Sequence, residues 1–162
     1  VITLTQTNKE TYEKIAGFVL SVAALAMATP ASAQFRKPED AVKYRQSAMS
    51  IMGNYMGRIG AMTSGRAPFD AKVMQENTRV LVVLSSLPIQ GFVANTESLK
   101  TRAKPEIWKE QDKFKGAFDK MVADVNKLDA TAKTGNLDAI KTAFGDVNTS
   151  CNACHDNYQA KQ

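Results

Sequence analysis

The chain has a single histidine, two cysteines, one tryptophan and five prolines among its 162 residues. A structural zinc site takes four protein ligands, and two cysteines with one histidine fall short of that number. The cysteines, Cys151 and Cys154, stand so close together that a disulfide between them would close a very small loop and constrain the unfolded chain little. Persuasive apolar–polar alternation is also missing, which argues against sheets and against the βαβ surroundings expected of a thioredoxin-like cysteine pair. There is no internal repeat and no low-complexity tract. The apolar run Ile15 to Ala28 is too short for a convincing transmembrane helix.

That run has another reading. It follows Lys14 and leads into Thr29-Pro30-Ala31-Ser32-Ala33, where Pro30 interrupts the helix and Ala31 and Ala33 supply the small residues a signal peptidase requires. Residues 1–33 are therefore expected to be a secretory signal peptide that is removed, leaving 34–162 as one domain without stable membrane insertion. An apolar fraction of 44% and a charged fraction of 23% are ordinary for a globular protein. The formal charge of +5 survives cleavage, because Lys9 and Lys14 leave together with Glu10 and Glu13. Basic residues are interspersed with acidic ones rather than clustered, so no nucleic-acid partner is expected.

Periodicity predicts four helices. The first opens at Pro38, with Glu39 and Asp40 placed where acidic groups favour the positive end of a helix. Ala41, Ala48, Met49, Met52, Met56, Ile59 and Met62 make its apolar face, and Gly65 and Pro68 end it. The second starts at Asp70, an N-cap with Phe69 and Met74 as a hydrophobic staple; Val73, Val80, Leu81, Val83, Leu84 and Leu87 are expected to be its buried side, before Pro88. No period is visible from Pro88 to Lys104, a stretch expected to run over the surface and to cover something. A third helix opens at Pro105 and carries Ile107, Trp108, Gln111, Phe114, Phe118, Met121, Val122, Val125 and Leu128. The fourth carries Leu137, Ile140, Phe144, Val147, Cys151, Cys154, His155 and Tyr158 on one inward face. The simplest arrangement is all-α, an antiparallel four-helix bundle whose interior can hold a cofactor.

Cys151-Asn152-Ala153-Cys154-His155 uses both cysteines and the only histidine. This spacing lets two thioethers join the two vinyl groups of one porphyrin, while the next residue places an imidazole under the iron. One covalent haem c is expected, held by Cys151 and Cys154, with His155 as the axial ligand. No second histidine exists for bis-histidine ligation, nor for the distal acid–base group a haem peroxidase would need. Asp156 to Gln162 contain no methionine, so a sixth protein ligand would have to come from another helix.

With Lys43-Tyr44-Arg45-Gln46, Pro105-Glu106-Ile107-Trp108 and Ala143-Phe144-Gly145-Asp146-Val147, the motif near the C-terminus resembles cytochrome c′. The resemblance implies that residues 34–162 form a cytochrome c′-like bundle in the periplasm. It places Met49 over the distal haem face without bonding to iron, and Arg45 at the haem edge, where it can meet a propionate. It also implies binding of nitric oxide and carbon monoxide at a five-coordinate iron, exchange of electrons with an unidentified redox partner, and homodimers formed through the first two helices. A modest positive surface suits encounter with an acidic redox partner. Catalytic turnover is not indicated. In low-spin relatives a first-helix methionine closes the iron about one turn earlier, where this chain has Arg45, which is no ligand. The alternative is nonetheless a six-coordinate electron-transfer cytochrome with a methionine from the first helix. One departure stands out: many family members carry a basic residue four positions past the histidine, where this chain has Gln159, and Lys161 does not occupy that position.

Overall fold

The computed structural model describes residues 34–161; the expected signal peptide, residues 1–33, lies outside the described residues. Among these the order is α1 (Pro38–Thr63), α2 (Ala71–Ser85), a 3-10 turn (Pro88–Gly91), a short α3 (Glu106–Lys109), α4 (Gln111–Ala132) and α5 (Leu137–Tyr158). The four long helices form an antiparallel bundle in which α5 packs on α4 and α1, and α2 packs on α1 and α4. No strand occurs among the described residues, only one isolated bridge between Ala103 and Gln159.

The ends follow local chemistry. Pro38 opens α1, with Glu39 and Asp40 in its first turn. Gly65 then takes a φ of 76°, which turns the chain away at little steric cost. Asp70 caps α2, its carboxylate accepting from Lys72 N at 2.8 Å and Val73 N at 3.0 Å. Met74 is fully buried, and Phe69 packs against the same core. Asn136 caps α5 by accepting from Ala139 N. The core runs through Ile59, Met74, Leu81, Leu128 and Ile140, all fully buried. Each such side chain contributes about 1.5–3 kcal/mol of transfer free energy.

Two expectations need correction. α2 is rotated from the predicted face: Met74, Asn77, Thr78, Leu81 and Ser85 are inside, while Val73, Val80 and Val83 are exposed, Val83 by 62%. The polar residues can face inward because they are satisfied there. Thr78 Oγ1 donates to Asp129 Oδ1 on α4 at 2.9 Å, and Ser85 Oγ donates to Val82 O at 2.8 Å. The third segment is not one helix but two, broken at Glu110, whose φ of −120° and ψ of 48° leave the helical region. No proline or glycine marks that break. The short helix before it is tied instead to the preceding loop, where Trp108 Nε1 donates to Val93 O at 3.2 Å.

Candidate haem site

Two cavities meet along α5. One, of about 240 Å³, is lined mainly by Met49, Met52, Met56, Phe118, Met121 and Cys151. The other, of about 90 Å³, is bordered by Arg45, Gln46, Phe92, Phe114, Tyr158 and Gln159. Met49, Cys154 and His155 line both. Arg45, Met49, Cys151, Cys154 and His155, singled out in the sequence, thus converge on one slot between α1 and α5.

α5 changes character along its length. Ile140 and Val147 are buried in the bundle core, whereas Cys151 and Cys154 are half-buried and His155 is exposed. All three nonetheless border the larger cavity. Burial pushes both thiols above their ordinary value, with the Asp124 carboxylate adding to the effect at Cys151 and Cys151 itself at Cys154.

Arg45 occupies a more constrained place than a helix-surface charge would. It is 3% exposed. Its guanidinium carbon lies 4.5 Å from the Phe92 ring centroid and 5.6 Å from that of Trp108. Nη1 donates to Gly91 O at 2.8 Å and to Thr96 Oγ1 at 3.0 Å. Nη2 is buried without a hydrogen-bond partner among the described residues. Burial lowers the guanidinium's pKa, yet arginine does not lose its charge in proteins. An orphaned donor of this kind costs about 1–3 kcal/mol, more when charged, and its natural partner is an anion.

The loop from Pro88 to Lys104 supplies the residues that periodicity did not reveal. Gly91 packs so closely on α1 that a Cβ there would lie 2.6 Å from Ala41 O and 2.7 Å from Arg45 Cβ. Thr96, fully buried, accepts from Arg45 and donates to Val93 O at 2.8 Å. Phe92 meets Phe114 edge-on at 4.9 Å, and Phe114 meets Tyr158 at 5.1 Å, which closes the aromatic wall. The loop does cover something, and it does so through the groups that hold Arg45.

A slot with an apolar body, two thiols and an imidazole along one wall, and a buried cation with no ion pair among the described residues at one end suits a porphyrin with two vinyl groups and two carboxylates. The comparisons with known proteins agree. A family model described as Cytochrome C′ matches residues 40–159. The chain is 46% identical over 129 residues to the cytochrome c′ of Rubrivivax gelatinosus, covering 79% of this chain and 100% of that one. Identity to the cytochrome c′ of Alcaligenes xylosoxydans xylosoxydans is also 46% over 129 residues, with 80% and 100% covered. The crystal structure of the Rubrivivax gelatinosus protein superposes with a TM-score of 0.75, over 78% of this chain and 99% of that one. A nitric oxide complex of a variant cytochrome c prime from Alcaligenes xylosoxidans, 45% identical, superposes with a TM-score of 0.76 over 80% and 100%. The chain belongs to the cytochrome c′ family and carries covalently bound haem c.

Proposed function

We propose that the protein is a periplasmic gas-binding haem protein whose iron is five-coordinate and open to nitric oxide and carbon monoxide. The observation that carries this reading is the lining contributed by α1. Met49, Met52, Gly53 and Met56 border the larger cavity, and none of their side chains offers a hydrogen-bond donor. Cys151 and Cys154 hold the haem by thioethers, and His155 is its axial ligand. Arg45 Nη2, left without a partner among the described residues, is placed to pair with a propionate.

Haem supplies an iron with one free coordination position when only His155 binds it. What the chain adds is the choice of who reaches that position. An apolar approach gives dioxygen no polar stabilisation, while nitric oxide and carbon monoxide depend less on such a donor. Of the amides that border the two cavities, Gln46 and Asn148 are exposed side chains for which water competes, and Gln159 is half-buried at the end of α5. Structures of a relative in complex with nitric oxide support the same reading. Periplasmic location rests on the signal-like segment before Ala33. The described helices include none long and apolar enough to cross a membrane.

A homodimer belongs to this reading. Ile51 on α1, 46% exposed, and Val73, Val80 and Val83 on α2 leave apolar side chains in solvent on the two helices through which the family is expected to pair. Catalytic turnover is not part of the proposal, and electron exchange with a redox partner is compatible with it.

Titration of the ferrous protein with each gas tests the function. Saturable spectral changes with nitric oxide and carbon monoxide, and no stable dioxygen complex, are expected. Failure of both nitric oxide and carbon monoxide to bind would reject it in favour of the six-coordinate electron carrier closed by an α1 methionine.

A further inference from the structure

α5 ends without a glycine. Its C-cap, Gln159, is extended at φ −119° and ψ 130°. An α-helix leaves its last carbonyls without intrahelical donors, and each needs a partner from elsewhere. His155 O receives Gln159 N at 3.0 Å. The next three carbonyls all end on a single residue of the long loop. Lys104 Nζ donates to Asp156 O at 2.9 Å and to Asn157 O at 3.1 Å, and Lys104 N donates to Tyr158 O at 2.9 Å.

Arg102 adds a reciprocal pair. Its carbonyl accepts from Ala160 N at 2.7 Å, and its Nε donates to Ala160 O at 2.9 Å. Between them Ala103 forms the antiparallel bridge with Gln159. Arg102, Ala103, His155 and Gln159 border the same cavity, so these contacts lie at the site rather than at a remote end of the bundle.

We infer that Arg102–Lys104 is a clamp on the haem-bearing helix and that Lys104 is a positioning residue for His155. The inference rests on the reading of His155 as the axial ligand. The clamp fixes the helix turn from which His155 projects. Its ammonium also sits on the negative end of the α5 dipole, one and two residues past that ligand. A cation there favours the less positive ferrous iron over the ferric, so removing it lowers the reduction potential. Lys104 thereby supplies, from another segment, a positive charge near the helix end where Gln159 offers none.

Lys104→Gln and Lys104→Arg in the haem-loaded protein test this. Glutamine keeps an N–H donor for the α5 carbonyls while losing the charge; arginine keeps both. We expect Lys104→Gln to lower the midpoint potential, to shift the iron–histidine stretch in ferrous resonance Raman spectra and to speed amide exchange at Gln159 and Ala160. Lys104→Arg is expected to restore the potential. A wild-type potential and iron–histidine stretch in Lys104→Gln would overturn the inference even if stability fell. An equal fall in Lys104→Arg would overturn it too, since charge would then not be the cause. Wild-type protein whose ferrous haem is high-spin and five-coordinate but has no iron–histidine mode refutes the ligand reading itself, and the inference with it.

Discussion

Gly91→Ala is the substitution whose consequence the structure specifies most closely. The added carbon would stand 2.6 Å from Ala41 O, 2.7 Å from Arg45 Cβ and 3.2 Å from Arg45 N. Ordinary carbon contacts begin at about 3.5 Å, so the 3-10 turn must retreat from α1 by about 0.8 Å. Two of those obstacles are backbone atoms of α1, which is held in the bundle and yields little. If the guanidinium keeps its place, the bond from Arg45 Nη1 to Gly91 O lengthens from 2.8 Å to about 3.6 Å, which is no longer a hydrogen bond. Overpacking of this kind costs about 1–3 kcal/mol, and a buried charged donor that loses an acceptor adds about 1–3 kcal/mol. Thr96 still accepts from Nη1, which keeps the total toward the lower part of that range; we expect about 2–4 kcal/mol. Guanidinium unfolding of the haem-loaded protein, followed by circular dichroism, measures it. A variant within about 0.5 kcal/mol of the parent, the range of an ordinary surface substitution, would refute the packing argument.

Other predictions follow from single contacts. Asp70→Ala removes the α2 cap and should cost about 1 kcal/mol in the same unfolding assay. Val80→Lys with Val83→Lys places two charges on the apolar α2 face; sedimentation should show a monomer where the proposed pairing gives the parent as a dimer, and an unchanged dimer would move the interface elsewhere. The hydrogen bond from Lys127 Nζ holds the Asp146 carboxyl below its usual range. A depressed folded pKa contributes stability that is present above the unfolded carboxylate value and is lost as pH falls through the folded one. Asp146→Asn should therefore flatten part of the acid limb of the stability profile, with the difference vanishing at the lowest pH; identical acid limbs would count against the contact.

Legibility in the sequence tracked how local each signal was. Pro38 and Asp70 act within one helical turn, so the helix starts they govern were readable from neighbouring residues. The haem motif is equally local. α2 was misread because Thr78 and Ser85 look like solvent-facing residues until Asp129 and the Val82 carbonyl are seen to satisfy them. The break at Glu110 left no local mark, with a tertiary tether at Trp108 just before it. Arg45 was recognised only through family resemblance. Its burial depends on Gly91, Phe92 and Thr96, which lie some fifty residues away in a segment without a period. Lys104 was invisible for the same reason, since capping α5 across the fold has no spacing rule.

Resonance Raman spectra of the purified ferrous protein decide whether the iron beside the apolar α1 side chains is open. A high-spin, five-coordinate haem with an iron–histidine mode from His155 is expected. A low-spin, six-coordinate spectrum with a methionine sulfur on the iron would contradict it and make electron transfer the function of this slot.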